Sequence, residues 1–84
     1  MQNNLTGNLG IMALYRITTR KSFNGGMRGS IDAGMSVEIS SVMPVMVEGT
    51  FAEKINQLFM NKYGVDLKAI DALNPEFLNV TKIS

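Results

Sequence analysis

Thr50-Phe51-Ala52-Glu53-Lys54-Ile55-Asn56-Gln57-Leu58-Phe59-Met60-Asn61-Lys62-Tyr63-Gly64 decides the fold, because its start, its periodicity and its stop all read the same way. Thr50 and Glu53 have the spacing of a capping box, in which the threonine oxygen accepts the Glu53 N–H and the glutamate reaches back to the Thr50 amide. Phe51, Ile55, Leu58 and Phe59 recur at helical spacing on one stripe, and Lys62 closes its end. Gly64 suits the left-handed position just past a helix, with Val65 placed to pack back on Met60 as in a Schellman ending. These signals predict a helix over residues 51–63.

One amphipathic helix needs an apolar surface to cover. Upstream, residues 13–23 alternate: Tyr15, Ile17 and Thr19 share one face, and Arg16, Thr18 and Arg20 the other. That is a strand with one wet side. Residues 24–30, Asn-Gly-Gly-Met-Arg-Gly-Ser, are too rich in glycine for a regular element. Alternation resumes over residues 34–40, with Met35, Val37 and Ile39 inward and Glu38 outward. The two strands predict an antiparallel hairpin with a long glycine-rich connection. Glu38 then lies across from Arg16 or Arg20, a surface pair worth at most about 1 kcal/mol.

Downstream, Asp66 is placed to cap a short helical turn through Leu67, Ile70 and Leu73, which Asn74-Pro75 ends. Residues 77–83 read as a last strand with Leu78 and Val80 buried. The order strand, strand, helix, short helix, strand is an α+β fold: a small antiparallel sheet of about three strands packed against one main helix. The last strand is expected to return beside the first, giving spatial order 2-1-3.

At 84 residues the chain has room for one domain. Residues 1–11 carry only Leu5, Leu9 and Ile11 among the large aliphatics and read as an N-terminal arm. Met12-Ala13 looks like a natural start, so a single domain over residues 12–84 is expected. A domain this small buries roughly 60–65% of its unfolded surface, so without disulfides or metals its margin must come from packing or from a partner.

The chain has no histidine, cysteine or tryptophan. That removes disulfides, His- or Cys-ligated metals, cysteine nucleophiles and histidine bases. Its seven acidic residues, Asp32, Glu38, Glu48, Glu53, Asp66, Asp71 and Glu76, share no spacing that would converge two of them in a cleft or gather them round a cation. The reading is a protein with no catalytic, cofactor or metal site and no small-molecule substrate. The glycine loop could in principle wrap a phosphate, but it lacks the Walker lysine and opens onto a strand, not a helix. No apolar run reaches the roughly 18 residues of a membrane helix. No basic leader is visible, and the absence of cysteine fits a reducing compartment, so the expected location is cytoplasmic, with virion association if the gene belongs to a phage.

Two surfaces are left as candidates for function. Net charge is only +1, yet Arg16, Arg20, Lys21 and Arg28 fall close together in the first half. They could form a cationic strand face for nucleic acid, although that face lacks the aromatics that stack on bases. The second candidate is Val42-Met43-Pro44-Val45-Met46-Val47, the longest uninterrupted apolar run. Val42, Met43, Val45, Met46 and Val47 are read as partner-binding. Pro44 suits an edge strand, and methionines adapt to several partner shapes. The bland alternative is that the run tucks under the helix as core.

Met12-Ala13-Leu14-Tyr15-Arg16-Ile17, Gly34-Met35-Ser36-Val37-Glu38-Ile39 and Lys62-Tyr63-Gly64-Val65-Asp66 carry a resemblance. The chain resembles a family of short uncharacterised proteins from Bacteroidetes and their prophages or mobile elements, from Met12 onward. The resemblance implies no activity or binding residue. It points toward a virion component or a small inhibitor of a host system. The functional expectation is a non-enzymatic module that binds protein, as a homo-oligomer or within a larger assembly, with nucleic-acid binding as the alternative.

Overall fold

A computed structural model of the chain describes residues 12–84; the N-terminal arm, residues 1–11, lies outside the described residues. Strand β1 is Ala13–Thr19, and two short strands, β2 (Phe23–Asn24) and β3 (Ser30–Ile31), follow it. Strand β4 is Ser36–Ser41, helix α1 is Thr50–Tyr63, and strand β5 is Leu78–Lys82. The main sheet is antiparallel with β1 in the centre, in the order β4-β1-β5. Together with α1 it is the expected α+β architecture, in the expected 2-1-3 order.

The alternation read in β1 sets the layers. Ile17 stands opposite Val37 on one side and Val80 on the other, so these side chains share the covered face. Ile17, Val37, Ile39 and Leu78 are buried in one core with Ile55 and Phe59 of the helix. Arg16 faces Glu38 in register, and its guanidinium binds that carboxylate at 2.8 Å on the open face.

Three local readings are corrected. The first strand stops at Thr19, not Phe23, because Thr19 turns the chain. Its buried hydroxyl donates to the Asp32 carbonyl at 2.6 Å and accepts the Met35 N–H at 2.9 Å. The glycine stretch is more ordered than its composition suggests: β2 pairs with β3 around a single 3₁₀ turn, Gly26–Arg28. A side chain at Gly25 would lie 2.5 Å from the Gly29 carbonyl and 2.7 Å from Ile70, so glycine is required there for close approach.

The helix start is the second correction. The N-cap is Gly49, at φ 67° and ψ −138°, and no side chain caps it. Thr50 is already helical, so its hydroxyl does not take the cap position, and Glu53 turns outward to the Lys68 ammonium. At the other end Gly64 is left-handed as expected, and its N–H donates to the Met60 carbonyl at 2.9 Å. That 5→1 bond is the αL ending, and the Val65 N–H adds a longer bond to the Phe59 carbonyl at 3.5 Å. Val65 turns into the core while Met60 stays exposed.

The third correction is the short helix, which is a run of turns over residues 67–71. It ends with Asp71 at φ 56° and the Ala72 N–H bonded to the Leu67 carbonyl. Asp66 does cap it, accepting N–H bonds from Lys68 and Ala69. Asn56 ties this turn to the helix: its amide donates to Asp66, and its oxygen accepts the Leu67 N–H at 2.7 Å.

The Asn56 amide is the chief reason the Asp66 carboxyl titrates below its ordinary value; partial burial opposes it, and the Ala69 and Lys68 N–H groups and the Lys68 charge add to it. An acid whose folded pKa is depressed contributes stability above its unfolded value, about pH 4, and loses it as pH falls through the folded value. Thermal melts from pH 7 to pH 2 should therefore show a steeper acid loss for the native chain than for Asp66→Asn. Phe59→Ala, emptying a site with no solvent exposure, should cost about 3–5 kcal/mol in urea unfolding.

Candidate functional site

The run at residues 42–47 forms no strand. Ser41 ends β4 by accepting the Met43 N–H on its hydroxyl at 3.0 Å, and Pro44 has no N–H to give. The segment then crosses to the helix, exposed at residues 42–44 and alternating inward and outward from Val45 to Glu48. Val45 and Val47 are only 6% and 5% exposed, whereas Val42, Met43 and Met46 are 60%, 52% and 55% exposed. The structure thus divides the five predicted partner-binding residues: the two inward valines belong to the core, and the other three face solvent.

Further apolar surface lies at the same end of the sheet. Ala13 pairs with Ser41, so exposed Met12 and Val42 flank one edge of that end. Ile83, also exposed, flanks the other, with its N–H donated to the Leu14 carbonyl at 2.8 Å. Met12 and Ile83 carry no sequence signal as surface partners, since each reads as the outer end of a strand. Met46 lies farther along, on the wall of a shallow groove of about 390 Å³ beside β5.

The four basic residues do not form an open patch. Arg16 is held by Glu38. Arg20 donates to the Pro75 carbonyl at 2.8 Å and also reaches the Asn79 side-chain oxygen. Lys21 binds Glu76 at 3.0 Å and sits over the Phe77 ring. Of the four, only Arg28, on the 3₁₀ turn, has neither an ion pair nor a side-chain hydrogen bond among the described residues. Three of the four charges are thus engaged within the fold, clamping β1 to β4 and to residues 75–79.

The glycine loop has spent most of its donors. Gly25 N–H goes to the Gly29 carbonyl, Gly26 N–H to the Asn24 side chain, and the Arg28 and Gly29 N–H groups back to Gly25 and Gly26. A phosphate would have to displace them. Among the acids, Glu38, Glu53 and Glu76 each hold a different basic partner. No three acidic side chains gather into a metal-sized cluster among the described residues. No helix among them is long and apolar enough to cross a membrane.

A family model of unknown function matches residues 12–80. The chain belongs to that family, DUF6140. The match begins at Met12, the first described residue, and covers every element from β1 into β5. No curated protein and no solved structure gave a significant match.

Substitutions at the outward positions separate surface from core. Met43→Asp should leave stability within about 0.5 kcal/mol, as expected for an exposed site. Val45→Asp places an unpaired charge in the core and should prevent cooperative folding at 25 °C; urea unfolding monitored by circular dichroism checks both.

Proposed function

We propose that the chain is a non-enzymatic interaction module that binds protein, by self-association or within a larger assembly, through the outward side chains of residues 42–47. The observation that carries this reading is the division of that segment into buried Val45 and Val47 and exposed Val42, Met43 and Met46. Burying Val45 and Val47 anchors the backbone, so Val42, Met43 and Met46 are presented on a fixed support. Three large apolar side chains in six residues exceed the scattered single exposures of an ordinary surface. Methionine's flexible thioether suits a contact that must adapt to its partner.

The resemblance to proteins of mobile elements is in keeping with a part of a phage-encoded assembly or an inhibitor of a host system, acting in the cytoplasm or in the virion. The alternative, nucleic-acid binding through Arg16, Arg20, Lys21 and Arg28, is weakened by the internal engagement of the first three. Binding of that kind would fall steeply with salt.

Sedimentation velocity over a concentration series tests the reading. The native chain should sediment above monomer mass, and the folded triple variant Val42→Asp/Met43→Asp/Met46→Asp should return to monomer. Fluorescence anisotropy with labelled duplex DNA should show no salt-steep binding. A native chain that stays monomeric at about 1 mM, or a triple variant that associates as before, would count against the proposal.

A further inference from the structure

The main sheet has two outer strands, and they are finished differently. Along β4 the backbone groups of Ser36 are already occupied. Its N–H donates to the Tyr63 hydroxyl at 2.8 Å, and its carbonyl accepts from Tyr63 and from the Lys62 ammonium. With Glu38 next along that strand, helix side chains and charge blunt the β4 edge against further pairing.

Among the described residues, strand β5 has no such cover. The Arg20 N–H donates to the Phe77 carbonyl, and the Ile83 N–H donates to the Leu14 carbonyl. In this register the odd-numbered residues of β5 turn their backbone groups toward β1. The N–H and C=O groups of Val80 and Lys82 therefore point away from the sheet, and among the described residues no strand lies beyond them. The Leu78 N–H is taken by the Asn74 carbonyl at 3.0 Å, but its carbonyl points outward with the others. Beside this edge runs the groove of about 390 Å³, with Leu78 and Val80 on one wall and Met46, Val47 and Glu48 on the other.

We propose that the outer edge of β5 pairs with the same edge of a second copy of this chain, antiparallel and centred on Val80, with Lys82 of each copy facing Glu48 of the other. The inference rests on the reading of the chain as a protein-binding module and names its partner. In this register the two Val80 residues exchange N–H and carbonyl bonds, and each Lys82 N–H donates to the Leu78 carbonyl of the other copy. Lys82 comes to lie across from Leu78, on the face where Glu48 borders the groove.

Charge selects this occupant. Neither Lys82 nor Glu48 has an ion pair among the described residues, and the two-fold arrangement gives each an opposite charge. The two Lys82 residues stand four ladder positions apart, about 13 Å at 3.3 Å per residue, beyond the Debye length of about 8 Å at physiological salt. The second copy also covers exposed Met46.

Sedimentation equilibrium of the full chain tests the pairing. The native protein should be dimeric at tens of micromolar. Lys82→Glu and Glu48→Lys should each weaken the dimer about tenfold or more, because each puts like charges opposite one another twice per dimer. The double variant Lys82→Glu/Glu48→Lys should return to within about threefold of the native value. Val80→Pro removes the outward N–H while Asn79 and Thr81 keep their bonds to β1, and should give a folded monomer by circular dichroism. A native monomer at every concentration, single reversals without effect, a double variant that fails to recover, or a dimer that survives Val80→Pro would overturn the pairing. If self-association survives Lys82→Glu and Val80→Pro but is lost in Val42→Asp/Met43→Asp, the edge pairing fails while the interaction reading stands.

Discussion

Every layer of this fold depends on Ile17 being held between two strands that come from opposite ends of the domain. Its side chain is fully buried, with Val37 beside it on one flank and Val80 on the other. The helix reaches the same core through Ile55 and Phe59. Removing one such side chain costs about 2–5 kcal/mol, against a total stability of about 5–15 kcal/mol for an ordinary domain. In a chain of 84 residues with no covalent staple, that is a large share. The polar contacts around the core do a different task. Thr19, Asn56, Asp66 and Tyr63 each satisfy backbone groups where a strand or turn meets its neighbour, and so fix the angles at which the apolar faces meet.

The architecture was legible in the sequence because its main elements carry strong, separate periods. Alternation marked β1 and β4, the 3.6-residue stripe marked α1, and Gly64 marked its end. What stayed hidden depends on partners remote in sequence. Thr50 and Glu53 have capping-box spacing, but the backbone turns one residue earlier, at Gly49, and Lys68 takes the glutamate. Nothing in residues 23–31 announces a ribbon, because its two strands are only two residues each. The turn after Asp66 was readable as a capped turn but too short to continue as a helix.

The candidate site was legible as a segment but not as a pattern. An all-apolar run has no polar residues to show which side is wet, so periodicity has nothing to register. The structure puts Val45 and Val47 inward and Val42, Met43 and Met46 outward, a division that side-chain type alone does not make, since valines fall on both sides. The basic residues failed for the converse reason. Their clustering was plain, but their engagement by Glu38, Glu76 and the Pro75 carbonyl depends on residues remote in sequence, and arises only once β4 and residues 75–76 have come up beside the first strand.

The central strand is the first of the described strands, and one of its two neighbours is the last. A ribosome that has released β1, β4 and α1 has made a helix and a hairpin whose apolar face is still open along one side. Closure of the sheet must wait until Leu78 to Lys82 have cleared the exit tunnel. Until then Ile17 lacks one of its walls, and the β1 edge that β5 will occupy is available to other chains. The sheet is thus built to close late, and the interval before β5 emerges is the period in which a nascent-chain chaperone would matter most.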